Sequence, residues 1–180
     1  QKNYEKTIAY AEKVLRTPSI DNRIKSDAQI FIARSAIKTN DESRAKDAYA
    51  EVLKIASGSL AAEALYYDAY FKNQEQSYEA SSASVQKLAK DYSSYNEWGG
   101  KGLIIMAKNF YALGDAYQAT YILESVTTNF SQYPEVVTEA RGELSIIKAK
   151  EAQSNSSVNP NDNWQVSRKI KKIPAFAGMT

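Results

Sequence analysis

No histidine and no cysteine occur in the 180 residues. That removes imidazole acid–base relays, thiolate nucleophiles, disulfides and the commonest zinc ligands from anything this chain could do by itself. The lack of cysteine is compatible with an oxidising or a reducing compartment. Glycine (7) and proline (4) are scarce, so breakers of regular structure are few. The one glycine-rich stretch, Gly99-Gly100-Lys101-Gly102, lacks the spacing of a phosphate-cradling loop and reads as the start of a helix pair. No apolar run approaches the roughly 18 residues that a membrane span needs. An excess of one charge is missing too. Residues 1–150 carry 19 basic and 19 acidic side chains, and the net +2 comes entirely from 151–180. A neutral body has no basic face to release counterions from phosphate, which argues against nucleic acid as the partner. Neither a metal nor a cofactor is expected.

What is present repeats. Tyr10-Ala11-Glu12 returns as Tyr49-Ala50-Glu51, and each copy runs on to Val-Leu, at Val14-Leu15 and then Val52-Leu53, with the offset shortened by one position. Ala33-Arg34 and Asn40-Asp41 are echoed by Ala107-Lys108 and Gly114-Asp115 at a common offset nearly twice as long, which leaves room for a more divergent unit between them. Apolar residues fall at helical spacing throughout, as in Leu103, Met106, Ala107 and Phe110. Periods in the thirties built from helical patterns predict an all-α helix-hairpin solenoid over residues 1–152, with about seven helices whose apolar faces are buried only against neighbouring units. The chain opens at Gln1 inside a helical pattern without an initiator Met, so the array reads as a fragment of a longer one. The last helix, from Pro134, has Val137, Ala140, Leu144 and Ile147 on one stripe and Thr138, Glu139, Glu143, Lys148 and Lys150 elsewhere. One apolar and one solvated face is what a C-terminal cap requires.

Leu113-Gly114-Asp115, with Ala107 and Phe110 before it and Ala119 after it, resembles the tetratricopeptide repeat. Ala33, Asn40-Asp41, Ala45 and Tyr49 form a similar set. The middle unit departs from the pattern, with Tyr67 where a small residue is expected and Gln74-Glu75 in place of the Gly-Asp turn. The stretches Ala62 to Tyr67, Val85 to Tyr92, Met106 to Tyr111 and Ala119 to Glu124 resemble the C-terminal part of large cell-envelope tetratricopeptide proteins of Bacteroidetes. The resemblance implies a right-handed superhelix and a periplasmic or outer-membrane-associated location.

Residues 153–180 have a linker composition followed by Ile173-Pro174-Ala175-Phe176-Ala177-Gly178-Met179-Thr180, which resembles a translated bacterial intergenic repeat. A disordered tail, read-through in origin, is expected, with a basic arm at Arg168 to Lys172 as the functional alternative. Paired carboxylates such as Asp41-Glu42 suit a helix start rather than catalysis, and most of the 13 tyrosines fall on stripes that must pack. What remains is the concave groove. Counting back from the expected turns puts Arg34, Asp68 and Lys108 at one equivalent groove position, with Lys38 and Lys72 one helical turn later. The expected function is a non-catalytic scaffold that holds a peptide or helical segment of another protein in that groove. The alternative is an accessory domain of a larger enzyme whose catalytic part lies upstream.

Overall fold

The computed structural model describes residues 3–156, and these form eight α-helices: α1 (Tyr4–Leu15), α2 (Asn22–Lys38), α3 (Glu42–Ile55), α4 (Gly58–Gln74), α5 (Tyr78–Asp91), α6 (Asn96–Ala112), α7 (Ala116–Asn129) and α8 (Pro134–Ser156). Among the described residues there is no strand. The count is one above the expected seven. Helix α6 starts at Asn96, so the glycine cluster lies inside it and not ahead of it. Helix α8 runs to Ser156, past the boundary expected at 152. The stretch 157–180, including Arg168 to Lys172, lies outside the described residues.

Side-chain caps start half of the helices. Asn3, Asp21, Asp41 and Asp115 each accept from the backbone N–H three residues on, at 3.0, 2.8, 3.2 and 2.9 Å, satisfying one of the orphan donors of the first turn. Three hairpin turns close identically. Asn40, Gln76 and Gly114 adopt φ of 57°, 60° and 85°, and the amides that follow them, Asp41, Ser77 and Asp115, reach back to the carbonyls of Ala36, Lys72 and Phe110 at 2.9, 2.9 and 2.8 Å. This is the Schellman closure of a helix on a left-handed residue. The nearly even spacing of these three left-handed residues along the chain sets the register of the repeats.

The register corrects the sequence reading in two places. With the middle turn at Gln76, the small residue of the second unit is Ala69, aligned with Ala33 and Ala107, and all three are fully buried. Their partners across the hairpin are Ala45, Ser81 and Ala119, also fully buried. Small side chains at these six positions let the two helices of each hairpin approach closely, so Tyr67 is not a packing defect. The opening echo of Tyr10 with Tyr49 is likewise not an equivalence. Aligning the caps Asn3 and Asp41 displaces Tyr10 by one residue, about 100° around the helix. Tyr10 is 70% exposed and Tyr49 1%.

Helices pack in succession along the chain, each on the next, and α4 also packs on α6 and α6 on α8. No comparable packing joins α3 to α5 or α5 to α7. From α4 to α8 the first helices therefore sit closer together than the second helices, whereas α2 and α4 lack that close packing. The core divides at α4. Ala64 and Phe71 belong with α1–α3, Ala69 with α5–α8, and Tyr70 packs against both groups. Gly100 supplies the close approach of α6 to the next unit, where a Cβ would lie 2.8 Å from the Phe130 ring and 2.9 Å from Val136. Helix α8 buries Val136, Val137, Ala140 and Ile147, while Arg141, Ser145 and Lys148 are exposed.

Candidate functional face

The inner face is built by residues of α2, α4, α6 and α8 that point away from the second helices. The expected groove residues occupy it unequally. Arg34 and Lys108 are equivalent in the observed register, but their counterpart on α4 is Tyr70, not Asp68. Arg34 donates from Nε and Nη2 to Glu63 of α4 at 2.9 and 2.5 Å. Lys108 pairs with Glu143 of α8 at 3.2 Å. Asp68 and Lys72 pair with each other at 2.6 Å, and both meet the Ser84 hydroxyl of α5, so they lie on the seam of their own hairpin. Of the five, Lys38 alone has no side-chain hydrogen-bond or ion-pair partner among the described residues, and it is exposed. The structure thus joins Asp68 to Lys72 but brings Arg34, Lys38 and Lys108 into no common cluster.

The residue that the sequence reading missed is Glu63, 2% exposed in the second turn of α4. Its carboxylate takes the Arg34 fork and a third bond from the Tyr49 hydroxyl at 3.0 Å. A buried charge is tolerated only when paired and hydrogen-bonded, and Glu63 is both. The bond to Glu63 raises the Arg34 pKa further above its ordinary value. Burial, followed by the Glu63 charge, holds the Tyr49 phenol well above the usual tyrosine range. Tyr49 stacks on Tyr67 at 4.1 Å between ring centres, and Tyr66, Tyr70, Phe71 and Trp98 extend the aromatic group. Most of these rings are packing groups, as the sequence reading expected of the tyrosines.

Toward the other end, a cleft of about 330 Å³ lies where α4 and α6 finish against α8, lined by Gln74, Lys108, Tyr111, Glu143, Ile146 and Lys150 among others. Ile146 is 49% exposed there. Behind it Asn109, fully buried, accepts from Asn73 at 2.7 Å and donates to Ser81 and Ser82 at 2.9 and 3.0 Å, pinning α6 to α4 and α5. On the neighbouring turn of α8, partial burial raises the Glu139 carboxyl pKa; Lys108 opposes this and Glu143 reinforces it.

Chemically, this face offers paired charges, half-buried rings and amides. Among the described residues no group of three or more acidic side chains is placed to hold a metal ion, and no helix is long and apolar enough to cross a membrane. No protein-family model matches the chain. No curated protein matches it either. A sequence signal for Glu63 did exist: it stands alone in the apolar run Ala61-Ala62-Glu63-Ala64-Leu65. The missed middle register also had one, because Tyr92-Ser93-Ser94-Tyr95 returns one repeat later as Phe130-Ser131-Gln132-Tyr133. In both copies the last amide bonds to the first carbonyl, at 3.0 and 2.8 Å.

Proposed function

We propose that this chain is a non-catalytic, tetratricopeptide-like scaffold of the bacterial cell envelope that holds a segment of another protein along its inner face. The observation that carries the reading is the shared register. Three hairpins repeat the same buried small-residue pair and the same left-handed turn, so the stripes that must pack are accounted for and the first helices keep a separate face for a ligand. A pre-formed surface of this kind loses little entropy when an extended or helical segment docks. The cell-envelope location and the repeat family rest on the resemblance of the hairpin motifs.

Affinity capture from cells of the source organism tests it, using the full chain as bait. An inner-face variant, Lys38→Glu with Ile146→Glu and Lys150→Glu, is expected to lose its captured proteins. An outer-face variant, Lys54→Glu with Lys87→Glu and Lys90→Glu, is expected to keep them. The reverse pattern contradicts the reading.

A further inference from the structure

The α1–α2 end of the array exposes apolar side chains at positions that the later hairpins cover. With the N-caps Asn3, Asp41, Ser77 and Asp115 aligned, Tyr10 matches Ala48, Ser84 and Ile122, and Val14 matches Val52, Leu88 and Val126, all of them buried. Tyr10 itself is 70% exposed and Val14 39%. On α2, Phe31 matches the half-buried Tyr67 and the buried Ile105, and Ile24 matches the partly buried Leu60 and Trp98. Phe31 is 53% exposed and Ile24 40%. Tyr67 is covered by stacking on Tyr49; on α1 the Tyr49 place is held by Ala11, too small to cover Phe31. No described helix other than α2 packs comparably on α1. Tyr10, Val14, Ile24 and Phe31 therefore form one apolar patch at this end.

The α2 part of the patch is complementary to itself. Ile24, Asp27, Phe31, Arg34 and Lys38 recur at alternating steps of three and four residues, one stripe along the helix. Set antiparallel to a second copy with the two-fold axis at Phe31, the two rings meet. Asp27, four residues before the axis, then comes opposite Arg34 of the second copy, three residues after it, and symmetry makes the pair twice. Ile24 meets the aliphatic stem of the second copy's Lys38. Asp27 is exposed and has no ion-pair partner among the described residues. Arg34 gives Nε and Nη2 to Glu63, yet its side chain is half exposed and the guanidinium carries further N–H donors. Tyr10 and Val14 widen the patch onto α1, so that two α1–α2 pairs meet face to face as four helices.

We infer that two copies of this chain associate through this end, α2 against α2, as a closed two-fold dimer. Helix α8 offers no second face of this kind: Arg141, Ser145 and Lys148 stand where α6 has Leu103, Ala107 and Phe110, and they are exposed and polar. Because the interface is isologous, association stops at two.

Sedimentation of the full chain over a concentration series tests the inference. The expected species at high concentration has twice the 20.1 kDa mass of one copy. Phe31→Glu should weaken the dimer by roughly tenfold or more and leave the helical circular dichroism unchanged, since that side chain is already half open to solvent. Asp27→Arg should weaken it more at low salt than at high salt. The chain has no cysteine, so Phe31→Cys supplies a single thiol on the axis. Oxidation should link two copies through it, whereas Lys87→Cys on the outer face should give no link. A monomer at every concentration overturns the inference, whatever else then covers the patch. So does a dimer that tolerates both Phe31→Glu and Asp27→Arg, or one that oxidation links through Lys87→Cys and not through Phe31→Cys.

Discussion

Replacing Arg34 with alanine would leave the Glu63 carboxylate, 2% exposed, with the Tyr49 hydroxyl as its remaining side-chain partner. The cost comes from the stranded charge more than from the lost attraction. Because Arg34 is itself half exposed, about 1–3 kcal/mol is expected rather than the full penalty of a wholly buried pair. Glu63→Gln in the Arg34→Ala background should recover part of it in urea titration, and no recovery would mean that the pair matters only as packing. Tyr49 carries a pH signature. Its folded-state pKa is raised, by burial first, so above about pH 10 the unfolded chain releases a proton that the folded chain retains. Stability is therefore fully present below the ordinary tyrosine pKa and declines as pH rises beyond it. Tyr49→Phe is expected to make that alkaline decline shallower, and an unchanged slope between about pH 9 and 11 would assign it to other groups. At this scale the sequence reading located Arg34 and Lys38 on the inner face. Glu63 escaped it because a lone glutamate in a helix ordinarily points to solvent, and only the tertiary approach of Arg34 and Tyr49 makes its burial tolerable.

Among elements, the first and third hairpins were legible and the second was not, for a reason of turn chemistry. Asn40 and Gly114 belong to the residue types that accept a left-handed conformation, and Asp41 and Asp115 cap the helix that follows. Gln76 takes the same conformation without being one of them, and Ser77 makes no side-chain cap bond. The turn signal was therefore sought at Gln74-Glu75, ahead of its true place, and Asp68 and Lys72 were moved from the hairpin seam to the groove. The corrected register makes its own prediction. Ala69→Leu should destabilise about as much as Ala107→Leu, each by about 1–3 kcal/mol, since both force methylenes into a seam with no exposed surface. Thermal melts check it. If Ala69→Leu leaves the midpoint unchanged, the alignment of α4 is wrong.

On the scale of the whole molecule, the helical solenoid was readable because repeat spacing and apolar periodicity act over many residues and average out local errors. That α2 and α4 meet through side chains without the close backbone packing of the later joints was not readable, since it depends on how two distant faces meet. Helix α8 exposes Arg141 and Ser145 and pairs Lys148 with Glu124 of α7 at 2.9 Å. Its buried residues end at Ile147, so stopping the chain after Ser156 is expected to leave the melting temperature unchanged, and a fall of several degrees would show that the residues beyond contribute to the fold.

The central claim is that the inner face, and not the outer one, is where this solenoid holds another protein. Site-specific photo-crosslinking in cells of the source organism addresses it most directly, with the crosslinking residue placed in turn at Lys38, Gln74, Ala112 and Ile146 on the inner face and at Glu51, Lys87 and Tyr121 on the outer. The account predicts that one partner is trapped from the inner positions and not from the outer ones. Trapping of the same partner from Glu51, Lys87 or Tyr121 with none from the inner set would contradict it.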